Sequence, residues 1–265
     1  MGVIYNIERQ YSPYIMANET IIEICAGSVE SCIIAEQAGA QRVELCSVLS
    51  LGGVTPSYGM IAAARKAVEI DINVLIRPRQ GDFIYSRHEM EIMMKDIELC
   101  ADLKTNGVVF GALDKYGNID KEFCRPLADL ARSRSLSFTF HRAIDQSADI
   151  IRSVEEIIWL GADRILTSGG APTAPEALSI IRKMVEVAQG RIVIMPGSGI
   201  DETNILEVIN ETRTGEVHLS ASEQTDSSAV HRPPLSFTPE ILGGDYTRKE
   251  SSLQKAISAI NKIRK

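Results

Sequence analysis

Residues 21–46 read IIEICAGSVESCIIAEQAGAQRVELC. A short β-rich run passes through "EIC", a helical stretch follows, and a second β-rich run passes through "ELC". Strand, helix, strand is the unit that sets two parallel strands side by side through a right-handed crossover. Side chains alternate faces along a strand, so Glu23 and Cys25 share one face of the first, and Glu44 and Cys46 one face of the second. Adjacent strands therefore present carboxylate and thiol in the same rhythm.

The unit recurs along the chain. Further β-rich runs lie at 72–77 (INVLIR), 107–111 (GVVFG), 136–141 (LSFTFH), 164–167 (RILT), 191–195 (RIVIM) and 215–220 (GEVHLS), which makes eight strands with helical stretches after them. Eight such units in 265 residues predict a single-domain α/β protein, a (β/α)8 TIM barrel over 20–265, with a doubly wound sheet as the alternative. Thr55 before Pro56, the box-like "SRHE" at 86–89, Asp120 and Asp201 mark helix starts. "AGAQRVEL" at 38–45 echoes "LGADRILT" at 160–167, four units on. Such an echo fits a duplicated half-barrel, or only a common helix-to-strand turn. Residues 1–19 read as an extension outside the barrel. The longest irregular stretch, 221–247, reads as a mobile cover at the rim, followed by an amphipathic helix over 249–264.

Composition narrows the partners. The formal net charge is −7, and no Lys/Arg cluster stands out except the terminal "NKIRK", which argues against nucleic acid. No apolar run approaches the roughly 20 residues of a membrane span, and the first 20 residues have no signal-peptide character, so no membrane and a cytoplasmic location are expected. Five cysteines without a CxxC read as reduced thiols. A small molecule or an ion is the expected partner.

Barrel sites form at the carboxyl ends of the strands. The polar residues there are Glu23 and Cys25, Glu44 and Cys46, Arg77 and Arg79, His141, Arg142 and Asp145, Thr167 and Ser168, Gly197, Ser198 and Gly199, and His218 and Ser220. Glu23, Glu44, Arg77, His141 and Asp145 are the candidates for catalysis. Arg79, Arg142, Ser168, the 197–199 corner, His218 and Ser220 are those for binding a substrate. Two carboxylates inside a barrel need compensation, which Arg77 or His141 should supply. Carboxylates with a histidine could equally be acid–base equipment, or a buried network that fixes the barrel's register. For Cys25 and Cys46, packing as small hydrophobes is the simpler account. The alternative is a soft-metal site suited to Cu(I), against which neighbouring carboxylates raise a thiol's pKa. "MPGSGID" at 195–201 ends a strand in a glycine turn and could cradle a phosphate, or merely turn the chain.

The segments "EIC", "VELCSVLSLGGVTPS", "IRPRQGDFIYS", "GVVFGAL", "TFHRAID", "RILTSGG" and "MPGSGI" together resemble the CutC family over about residues 21–220. The resemblance implies a (β/α)8 barrel, a cytoplasmic protein, often a homo-oligomer, and a link to copper homeostasis in which two inward cysteines, here Cys25 and Cys46, serve as Cu(I) ligands. Pro196 stands where that family's loop would carry glycine, which bears on phosphate binding. The alternative to copper handling is an enzyme acting on a small anionic or phosphorylated metabolite by carboxylate and histidine acid–base chemistry.

Overall fold

The computed structural model describes residues 20–239 and 244–264. Its strands are β1 (Ile21–Ala26), β2 (Arg42–Leu45), β3 (Asp71–Leu75), β4 (Gly107–Phe110), β5 (Ser137–Phe140), β6 (Arg164–Thr167), β7 (Val193–Pro196) and β8 (Glu216–Leu219). All eight strands read from the sequence are present, and they pair in parallel in the order β7-β6-β5-β4-β3-β2-β1-β8. The helices are α1 (Val29–Ala38), α2 (Tyr58–Ala67), α3 (Arg87–Asp102), α4 (Lys121–Ser133), α5 (Ile150–Leu160), α6 (Leu178–Ala188) and α7 (Ile205–Thr212), with α8 (Leu253–Ile263) completing the ring. The architecture is the TIM barrel. No helix among the described residues is long and apolar enough to cross a membrane.

The seam between β7 and β8 is closed by a single parallel bridge, Gly197 to His218. Glycine lets the strands approach there, since a Cβ on Gly197 would stand 2.6 Å from Leu166 Cδ1 and 3.2 Å from His218 Cβ and force both to shift. Thr214 Oγ1 adds a hydrogen bond to the Ile194 carbonyl across the same seam.

Two sets of side chains leave each strand. Ile22, Ile24 and Ala26 join Cys32 and Ala35 in the main apolar core between barrel and helices. The alternate residues face the axis, and among them Glu23, Arg42, Glu44, Asn73, Thr139, Glu216 and His218 are buried polar groups. A small separate apolar cluster of Cys46, Leu75 and Val109, with Cys25 and Leu49 against it, lies above the charged layer.

Local signals held unevenly. Ser86 and Glu89 form the predicted capping box on α3, and Asp120 caps α4. Thr55 is not a cap: Ser57 starts α2, while Thr55 Oγ1 accepts the Arg77 N–H at 2.9 Å. Asp201 accepts from Thr203 N–H in a turn, and α7 starts only at Ile205. Within the echo between 38–45 and 160–167, Gly39 (φ 87°) and Gly161 (φ 81°) are both left-handed ends of a helix leading into a strand.

The stretch 221–247 departs from its reading as an irregular cover. Its ends form an antiparallel ribbon, β9 (Ser222–Asp226) with β10 (Thr247–Ser251), and α8 starts at Leu253 rather than 249. Glu250 anchors the ribbon by accepting from Ser28 Oγ (2.6 Å) and Ser31 Oγ (3.1 Å) beside α1. Sequences such as SEQTD and TRKES carry no apolar alternation because the ribbon is held by strand pairing and this carboxylate, not by a buried face. The extension read at 1–19 lies outside the described residues.

Candidate functional site

The alternation of β1, β2 and β8 converges on the axis. Arg42, one strand over from Glu23, donates to Glu23 through Nε and to Glu216 through Nη2, and Arg164 Nε donates to Glu216 at 2.8 Å. His218 Nδ1 meets Glu23 Oε1 at 2.8 Å, and its Nε2 lies 3.9 Å from Glu44 Oε2. The compensating charges are therefore Arg42 and His218, not the expected Arg77 or His141. Parallel pairing sets Glu23 opposite Arg42 and also opposite His218, which the order of residues along one strand could not reveal.

Above this layer sit the thiols. Glu44 Oε2 is 3.5 Å from Cys46 Sγ and 3.9 Å from Cys25 Sγ, and one ligand atom from each of the three residues lies within 4.8 Å of the others. Their protonation is ordered by their neighbours. Burial opposes ionisation of Glu23, but Arg42 and then His218 hold its carboxyl down at about 2. Burial pushes Glu44 up to about 8, helped by negative charge at Cys25 and Glu23. A hydrogen bond from Cys46, aided by His218, lowers Cys25 to about 5, and the same bond together with burial raises Cys46 well above the usual thiol range. His218 is held protonated by Cys25 and Glu23 against the cost of its burial. At neutral pH the cluster is thus a thiolate at Cys25, a protonated Glu44 and Cys46, an imidazolium and a carboxylate.

The cluster forms the floor of a cavity of about 230 Å³ at the carboxyl mouth, whose walls include Leu49, Leu75, Arg77, Phe83, His141, Arg142, Leu166, Ser198, Gly199 and Ser220. Burial, and then the charge of Arg77, lower His141 to about 3. Its Nδ1 accepts the Ala143 N–H at 3.2 Å, so this imidazole is a fixed neutral donor through Nε2 and not the expected base. Arg77 uses its Nη atoms on the carbonyl oxygens of Gly53 (2.8 Å), Gly81 (2.8 Å) and Gly52 (3.1 Å), tying two loops together over the barrel.

Other candidates hold the frame. Asp145 accepts from Thr167 Oγ1 (2.5 Å), Ser168 N–H (3.0 Å), Ser168 Oγ (3.0 Å), Gly170 N–H (3.2 Å) and Arg142 Nε (2.8 Å), so it organises the 167–170 corner. Arg79 is spent on Glu89 (2.6 Å) and Asp82 (3.0 Å). Ser198, in the left-handed region at φ 78°, donates to the Pro172 carbonyl at 3.0 Å. α7 starts at Ile205, beyond the 197–199 corner, so its N-terminus does not begin within the turn read as either a phosphate cradle or a plain turn. No described residue of 221–247 lines the cavity. Sequence reading missed Arg42, Arg164 and Glu216, although carrying the alternation two residues back from Glu44 and from His218 reaches Arg42 and Glu216.

The Glu23 pairing carries a pH signature. Its folded pKa of about 2 lies below the ordinary 4.5, so its contribution is complete above pH 4.5 and is lost as the pH falls through 2. Acidification from pH 5 to 2 is expected to cost the wild type about 3 kcal/mol more than Glu23→Gln. Urea midpoints of both proteins across that range measure it, and parallel curves would refute the pairing.

Residues 20–223 match the CutC family. A CutC family protein of Xylella fastidiosa is 48% identical over 227 residues, covering 85% of this chain and 82% of that one. The human protein named copper homeostasis protein cutC homolog is 41% identical over 250 residues, 94% of this chain and 90% of its own. The crystal structure of CutC from Streptococcus agalactiae superposes with a TM-score of 0.72 at 33% identity, covering 76% of this chain and 98% of that one. The barrel, its inward Glu-x-Cys strands and these relatives lead to one conclusion: the chain belongs to the CutC family.

Proposed function

We propose that this chain is a cytoplasmic copper homeostasis protein that binds Cu(I) as cargo through Cys25 and Cys46. The observation carrying the reading is the convergence of two sulfurs and the Glu44 carboxylate within 4.8 Å of one another at the floor of a cavity. Metal–sulfur bonds of about 2.3 Å suit such a spacing. Soft sulfur donors select Cu(I) among the biological metals. The electrostatic objection to a thiolate among carboxylates is met by His218, whose charge supports ionised Cys25, and by Glu44, which keeps its proton. Cys46 retains its proton in the free protein, so binding through both sulfurs releases a proton. The name of the human relative points the same way.

Anaerobic Cu(I) titration against a competing chelator tests the proposal. Loss of a direct ligand should exceed the 10–100-fold typical of an outer-shell change, so Cys25→Ser and Cys46→Ser are each expected to weaken affinity by about 100-fold or more. Equal affinity in wild type and either variant would rule the site out.

A further inference from the structure

Arg77 is buried and charged, yet no carboxylate lies within ion-pair distance of it among the described residues. Its partners are neutral: the carbonyl oxygens of Leu51, Gly52, Gly53 and Gly81, and the Phe83 ring, whose centroid is 5.0 Å from Cζ. A buried charge answered only by neutral dipoles is left without a counter-ion. His141 packs against the same ring, with centroids 4.9 Å apart. Because its Nδ1 accepts the Ala143 N–H, the proton sits on Nε2, and that buried nitrogen has no acceptor among the described residues. Both residues line the cavity, between apolar walls at Leu75 and Leu166.

We propose that this cavity holds a small organic carboxylate, whose oxygens accept the His141 Nε2–H and answer the charge of Arg77 while its short apolar body lies along Phe83, Leu75 and Leu166. The inference goes beyond copper binding and does not rest on it, since neither thiol is needed to hold the anion. Volume and charge select the class. A cavity of about 230 Å³, below the roughly 300–1,000 Å³ of drug-sized ligand sites, suits an acid of a few carbons. Arg142, the other guanidinium at the mouth, is already paired with Asp145 at 2.8 Å, so one negative charge suffices. A phosphate would gain no helix N-terminus here, because α7 starts beyond the corner.

The test uses the metal-free full chain labelled with 15N-histidine and three probes: isovalerate, isovaleramide and inorganic phosphate. Isovalerate is expected to bind saturably, to shift the His141 Nε2–H resonance, and to bind at least about tenfold more tightly than the amide or phosphate, since charge-assisted hydrogen bonds are about twice as strong as neutral ones. His141→Phe should weaken isovalerate by about tenfold, and His141→Gln, whose amide nitrogen can donate from nearly the same place, should restore most of it. An unshifted His141 resonance, equal binding of the amide, or tighter binding of phosphate would each overturn the proposal. Should His141→Phe fail to fold, the wild-type resonance decides alone. Cu(I) affinity is read separately on the same protein, so either reading can fail without the other.

Discussion

Arg42→Met is expected to lower the unfolding free energy by about 3 kcal/mol, toward the lower end of the 3–5 kcal/mol typical of a broken buried ion pair. The substitution keeps an unbranched apolar stem in the barrel and removes the cation between Glu23 and Glu216. Neither carboxylate is wholly abandoned, for Glu23 keeps His218 and Glu216 keeps Arg164, which places the cost at the lower end. The double variant Arg42→Met/Glu23→Gln should recover part of the loss, because it neutralises the carboxylate that Arg42 leaves and the other partner of that carboxylate, His218, can release its proton. Urea unfolding at constant slope gives the values. A loss below about 1 kcal/mol, or strict additivity in the double variant, would mean that the network contributes little to the fold.

Cys25 is expected to react with a small thiosulfonate at pH 6 about tenfold faster than free cysteine. With a pKa near 5 it is about 90% thiolate at that pH, whereas a thiol at the ordinary 9.0 is only about 0.1% ionised. That difference of about 900-fold is partly offset by the lower nucleophilicity of a less basic sulfur, roughly 40–100-fold over four units. Above about pH 7.4 the sign reverses, since free cysteine is then a few per cent ionised and its thiolate is roughly 40–100-fold the better nucleophile. The other thiols should stay silent: burial holds Cys32, Cys100 and Cys124 near 12, and Cys46 is held higher than an ordinary thiol by its bond to Cys25. Quench-flow with methyl methanethiosulfonate and mass spectrometry, with Cys25→Ser as control, measures the rate. A rate at pH 6 no greater than that of free cysteine would show Cys25 to be a plain thiol.

The same proton ordering has a consequence for stability. Between about pH 5 and 8 the folded pair carries thiolate Cys25 and protonated Glu44, while the unfolded chain carries the thiol and the carboxylate. Each state holds one proton on the pair, so the two opposite slopes cancel and the pair adds no pH dependence in that window.

The barrel was legible because strand–helix alternation and period two are local properties. They set eight parallel strands and turn Glu23, Cys25, Glu44 and His218 toward the axis. The polar ribbon β9–β10 was not legible, because no buried face marks its sequence. Nor could the sequence say which charge answers which. Glu23 and His218 lie 195 residues apart, and only closure of the barrel brings β8 against β1. Closure made Arg42 the central cation by bringing Glu216 within its reach, while Arg77 was left to bind the carbonyls of neighbouring loops and a contact only two residues away, with the Ala143 N–H, fixed His141 as a donor. Pairing inside a barrel is decided by which strands become neighbours and at what register, and neither is written in any single strand.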